Sequence, residues 1–131
     1  MKRIDKIKRN VLNFARANYA RIEVQPAVGL FNFRCFQNAV QYAVEHGGQI
    51  FECIMVYDGW PSLHYVNYIE GEYLETTLGY KARSLEYYVT REIHKLDWDD
   101  IEDVFDRTLD QWYYKFTNVF DRKILRIDRV V

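Results

Sequence analysis

Apolar positions recur at helical spacing near the start of the chain. Ile4, Ile7, Val11, Phe14 and Ala15 fall on one stripe, which predicts a helix over residues 2–19. Gln25-Pro26-Ala27-Val28-Gly29 breaks that pattern. A second helix is predicted over 33–46, with Asn32 as its N-cap, Gly47-Gly48 as its stop, and Phe36, Ala39, Val40, Ala43 and Val44 as its apolar face. From Gln49 the period shortens. Residues 50–57 read as a β-branched and aromatic strand, and Asp58-Gly59-Trp60-Pro61-Ser62 as a turn. Residues 63–69 and 72–77 read as a hairpin around Glu70-Gly71, and 85–93 as a further strand. Asp97 can cap a third helix over 98–118, whose stripe is Ile101, Val104, Phe105, Leu109, Trp112, Tyr113 and Phe116. The alternating tail, 123–131, predicts a last strand. The pattern predicts a single α+β domain over 1–131, with one antiparallel sheet and about three helices.

Composition narrows the class. With 49% hydrophobic and 28% charged residues the chain is globular rather than disordered. A net charge of −1 gives no global field to draw nucleic acid. The basic residues Lys2, Arg3, Lys6, Lys8, Arg9, Arg16 and Arg21 do cluster early, against Asp5 alone. They read as a solvated helix face before they read as an anion-binding one. Residues 97–110 are acidic. Asp99, Asp100, Asp103, Asp106 and Asp110 fall off the apolar stripe, and the first acids complement a helix dipole. They need no metal to explain them, and no cofactor is implied. Two cysteines make no disulfide framework and no metal spacing. Without a signal-peptide pattern or an apolar span, the default expectation is a reducing cytoplasm, in which Cys35 stays a free thiol.

Cys35 and His64 carry the chemistry. Cys35 falls in the first turn of the second predicted helix, where the positive end of the dipole favours thiolate. His64 heads a strand and can hold the thiol's proton. A two-residue turn at Glu70-Gly71 pairs Ile69 with Glu72, so side-chain alternation puts Glu75 on the sheet face of His64 as a diagonal neighbour. Asn67 then points away. A slip of one residue would exchange the two, so both stand as third-residue candidates, with Glu75 first. The backbone amide of Cys35 is one oxyanion donor, and Asn32 or Asn38 is the other. Trp60 is a candidate rim beside His64. Cys53, in mid-strand, reads as core.

Two segments carry a family resemblance. They are Arg34-Cys35-Phe36-Gln37-Asn38-Ala39-Val40-Gln41-Tyr42-Ala43 and the run from Leu63-His64-Tyr65 through Glu75-Thr76-Thr77-Leu78-Gly79. Cysteine on a helix, then histidine, then an acid on successive strands resembles the papain-like superfamily in its compact bacterial and viral forms. Those forms include cell-wall amidopeptidases, bacteriocin-processing peptidases and transglutaminase-like domains. The resemblance implies a papain-like core with its nucleophile at a helix N-terminus. It also implies a Cys35-His64-Glu75 triad acting on an amide, isopeptide or thioester bond of a peptide or protein. Two departures stand out. Phe36 and Gln37 follow the cysteine where small residues and Trp or Tyr are common. Gly29 occupies the usual place of an oxyanion Gln or Asn.

A competing expectation is a non-catalytic protein-binding module on the same scaffold, using its aromatic surface; aromatics make up 17% of the chain. Nucleic-acid binding through the basic first helix ranks below both.

Overall fold

The computed structural model describes residues 2–131. Helix α1 (Arg3–Asn18) buries Ile7, Val11 and Ala15 of the stripe seen in the sequence, adds Leu12, and keeps Ile4 and Phe14 half-buried against the same cluster. It ends where Tyr19 becomes extended. Two three-residue strands follow, β1 (Ala20–Ile22) and β2 (Val24–Pro26). Helix α2 (Cys35–His46) stops at Gly47. Strands β3 (Gln49–Tyr57), β4 (Trp60–Ile69), β5 (Glu72–Glu75) and β6 (Glu86–Ile93) come next, with a 3-10 helix (Gly79–Ser84) between the last two. A second 3-10 helix (Lys95–Asp100) leads into α3 (Ile101–Phe116) and then α4 (Val119–Lys123).

Both hairpin turns have two central residues with positive φ: Asp58 at 48° and Gly59 at 80°, Glu70 at 52° and Gly71 at 84°. That is the type I′ geometry, whose twist matches the flanking strands. Tyr57 therefore pairs with Trp60, and Ile69 with Glu72.

The six strands run in the order β1-β6-β3-β4-β5-β2. The sheet is mixed, not antiparallel as expected, because β2 pairs with β5 in parallel. Strands β1 and β2 form opposite edges of the sheet, yet only Glu23 separates them in the chain. The sheet must therefore curl until its edges meet. Its outer face carries the helices. Ile54, Val56 and Leu63 pack with α1 and Trp112 of α3, while Ile50, Tyr65 and Ile93 pack with α2 and the start of α3. The inner face is covered by the sheet itself: Val24, Cys53, Val66 and Tyr87 form a core to which no helix contributes.

Among the described residues there are four α-helices rather than about three. The expected tail strand is not formed. Asn118 and Asp121 make a reciprocal capping box for α4, and the residues after it are irregular. The tail mixes apolar and charged residues on both parities, Ile124 and Val130 with Arg126 and Asp128 on one and Leu125, Ile127 and Val131 with Arg129 on the other. Val130 is buried with the α1 residues, and Tyr113 donates to the Ile127 carbonyl at 2.7 Å. The third helix starts at Ile101 rather than 98 because residues 95–100 tighten into 3-10 turns, capped by His94 rather than Asp97. Among the described residues no helix is long and apolar enough to cross a membrane.

Candidate active site

Cys35 is the first residue of α2 and is buried. No side chain caps this helix, so the amides of its first turn point their dipole into the space beside the thiol. Asn32 does not act as the N-cap. It forms a turn of its own, in which Oδ1 accepts from the Arg34 amide at 3.1 Å. The approach to Cys35 is strained: Phe31 and Phe33 both have left-handed backbone, at φ 52° and 57°, a region side chains other than glycine seldom occupy.

His64 lies on the inner face of β4 and is 5% exposed. Its Nε2 is 2.8 Å from Oε1 and 3.0 Å from Oε2 of Glu75. Glu75 ends β5 and is fully buried. Its Oε1 also accepts from the Tyr87 hydroxyl at 2.6 Å, and its Oε2 from the amides of Thr77 and Leu78 at 3.0 Å each. Burial by itself would raise the carboxyl's pKa. The charge of His64, with the hydrogen bonds from His64, Tyr87 and the Leu78 amide, outweighs burial and holds Glu75 below its usual range. For His64 burial works downward. The charge of Glu75 and the neighbouring Cys35, which acts through charge and a side-chain hydrogen bond, reverse this and raise the imidazole to about 10. The pair is thus a buried imidazolium and carboxylate.

The structure bonds Glu75 to His64, with Cys35 near enough to bear on the charge of the ring. The means is the departure of β5 from β4. Their pairing ends at Asn67 and Leu74. Beyond it the chain passes beside the start of α2, where Asn38 Nδ2 donates to Thr77 Oγ1 at 3.0 Å. The same Nδ2 donates to Asn32 Oδ1 at 2.8 Å, and Asn32 Nδ2 returns a bond to Asn38 Oδ1 at 3.3 Å. Asn38 is therefore a buried brace between the helix and the Glu75 segment, and Asn32 is the more exposed of the two amides. Asn67 faces the other way, donating to the Ala39 carbonyl at 2.8 Å and accepting from Thr76 at 2.6 Å. It fastens α2 to the sheet. Trp60 is not brought to the group. It stands at the hairpin end of β4, under Lys8 of α1. Cys53 pairs with His64 across β3 and β4, and burial pushes its thiol well up. That environment makes it an inert core cysteine.

Tyr87 joins the site without a local sequence signal. Tyr87 lies on β6, and only the β3–β6 pairing and the curl of the sheet deliver its hydroxyl to Glu75.

Comparison with protein-family models finds no match to the chain. None of the curated proteins matches it, and neither does any solved structure. The papain-like resemblance therefore rests on the residues themselves.

Proposed function

We propose that the protein is a cysteine hydrolase or acyltransferase that acts on an amide, isopeptide or thioester bond through Cys35, His64 and Glu75. The observation that carries this reading is the buried His64–Glu75 pair beside a cysteine that opens a helix. A surface histidine would need no such partners.

In this reading the His64 ring holds the proton and the Cys35 sulfur attacks the carbonyl carbon. The resulting oxyanion is met by the uncapped amides at the start of α2 and by the exposed amide of Asn32. The imidazolium then protonates the leaving amine or thiol as the carbon–heteroatom bond breaks, leaving an acyl-thioester on Cys35. Water, or an acceptor amine or thiol, gives its proton back to His64 as it attacks, and the thiolate leaves. Glu75 fixes the ring's orientation and balances its charge. Asn38 holds the helix against the Glu75 segment. The order of elements supports a papain-like assignment for this core.

Iodoacetamide alkylation tests the reading. Cys35 is expected to label rapidly near neutral pH in the native protein and slowly after His64→Ala, with Cys53 unlabelled as the internal control. Equal, slow labelling in both proteins would leave the second reading, a protein-binding module. The exposed aromatics near Cys35 favour that alternative. The nucleic-acid reading loses two of its cations: Arg3 is held by Asp121, and Arg16 by Glu86.

A further inference from the structure

The segment entering Cys35 is apolar and exposed. Phe33 is 93% exposed and Leu30 50%, and Phe31 packs against exposed Tyr80 at 5.8 Å between ring centroids. An aromatic ring in water two residues from a buried thiol serves no core.

This rim is held rigidly. Leu30 and Phe31 both donate their amides to the Thr77 carbonyl at 2.9 Å, and Ala27 and Val28 donate theirs to the Glu75 carbonyl at 3.0 Å. The segment that presents the rings is thus pinned to the segment that carries Glu75. Those bonds maintain the left-handed backbone of Phe31 against its conformational cost.

The two chain segments that form the rim carry charge of one sign. Residues 29–34 and 78–84 contain Arg34, Lys81 and Arg83 and no carboxylate. Lys81 sits over the Phe31 ring at 5.8 Å, and Arg34 is bonded only to the neutral Gln37. Apolar rings with Lys81 over one of them and Arg34 beside them complement an apolar side chain flanked by acids.

We infer that the Leu30–Phe33 and Tyr80–Lys81 rim binds an acidic peptide segment bearing an aromatic residue, and that this segment is the acyl-donor substrate presented to Cys35. The second half of the inference rests on the catalytic reading above; the first half does not. Rings and charges spread over two chain segments suit an extended peptide better than a compact acyl group.

Fluorescence anisotropy on the Cys35→Ala protein reads binding without turnover. Three labelled hexapeptides serve as probes: one phenylalanine flanked by glutamates, a copy with lysines for the glutamates, and a copy with alanine for the phenylalanine. The first should bind at least about tenfold more tightly than either copy. Phe33→Ala and Lys81→Glu should each weaken it by about fivefold to tenfold. Phe33→Asn, which tolerates the left-handed backbone, should behave like Phe33→Ala and so excludes a folding artefact. Equal binding of the three peptides overturns the inference. So does a concentration-dependent dimer in sedimentation that Phe33→Ala dissolves, since a second copy would then cover the rim. The two readings fail separately. Rapid Cys35 alkylation with no peptide preference removes this inference alone. Peptide preference with slow alkylation upholds the binding rim and removes the enzyme.

Discussion

Both oxygens of the Glu75 carboxylate lie within 3.0 Å of His64 Nε2, and both also accept from other donors, Tyr87 on one and two backbone amides on the other. Four donors converge on one buried carboxylate. Each bond to the ionised form stabilises its charge, and that charge keeps the imidazole protonated inside the sheet. The Thr77 and Leu78 amides are available because the chain leaves β4 after Leu74. The same departure places Thr77 against Asn38 on the cysteine helix. One local event, the end of β4–β5 pairing, therefore both charges the histidine and delivers the thiol.

Glu75→Gln replaces an acceptor by an amide whose NH2 must face one of these donors. Removing one partner of a buried ion pair costs about 3–5 kcal/mol. Urea denaturation should show a loss of that order, with slower Cys35 alkylation. Tyr87→Phe removes one bond to a charged group, about 1.5–3 kcal/mol, and should leave alkylation faster than Glu75→Gln does. If the two variants alkylate alike, Glu75 is not what governs the ring.

The His64 proton should persist well into the alkaline range. Below the ordinary value of 6.5 the ring is protonated in folded and unfolded chains alike, and its pairing contributes fully to stability. Between 6.5 and about 10 only the folded chain keeps the proton, so that contribution declines with rising pH and is gone above about 10. Glu75 acts at the other end. Its pKa is depressed, so its contribution is present above 4.5 and is lost as pH falls through the folded value. Nitrogen-15 NMR of the imidazole should show the doubly protonated ring from pH 5 to beyond pH 8. A ring that titrates near 6.5 would falsify the ion pair.

The sequence carried the long elements and the hairpin parity. Helical stripes ran through the regions of α1, α2 and α3, and a Gly turn at Glu70-Gly71 put Ile69 opposite Glu72, which set Glu75 on the side of His64. It did not carry β1 and β2, because three residues show no period, or the curl, because only strand order reveals that Ala20–Ile22 and Val24–Pro26 sit at opposite edges. Without the curl Glu75 reads as a solvated strand carboxylate, and nothing marks Tyr87. The tail misled for a different reason. Neither parity of residues 124–131 is uniformly apolar, and Ile127, Val130 and Val131 pack in the cluster with α1 and Trp112 instead.

Phe105 is the ring on α3 that ties its helix to the sheet. It meets Tyr65 edge-on at 5.2 Å and Phe36 at 5.2 Å. It is half-buried, so Phe105→Ala should cost about 3 kcal/mol, the low end for such truncations. Asp103→Ala, at an exposed position of the same helix, should stay within about 0.5 kcal/mol. Parallel urea titrations compare them. A loss below about 1 kcal/mol for Phe105→Ala would mean that this side of α3 does not hold the outer face together.

Gly79 tests whether the rim and the carboxylate act as one unit. It has φ 48°, and a Cβ there would stand 2.9 Å from the Gly29 Cα and 3.0 Å from its nitrogen. Gly29 bridges Leu78, whose amide serves Glu75, and Gly29 precedes the residues that enter Cys35. Gly79→Ala must therefore part residues 27–31 from residues 75–79. Strain of this kind costs about 1–3 kcal/mol, and the separation should also slow Cys35 alkylation by loosening the donors on Glu75. Gly71→Ala is the control. It too has positive φ, at +84°, but its Cβ would meet nothing within 4 Å. It should lower stability through its turn and leave alkylation at the native rate. If both variants slow alkylation in proportion to lost stability, the Gly29–Gly79 contact supports the fold in general and has no particular hold on the thiol.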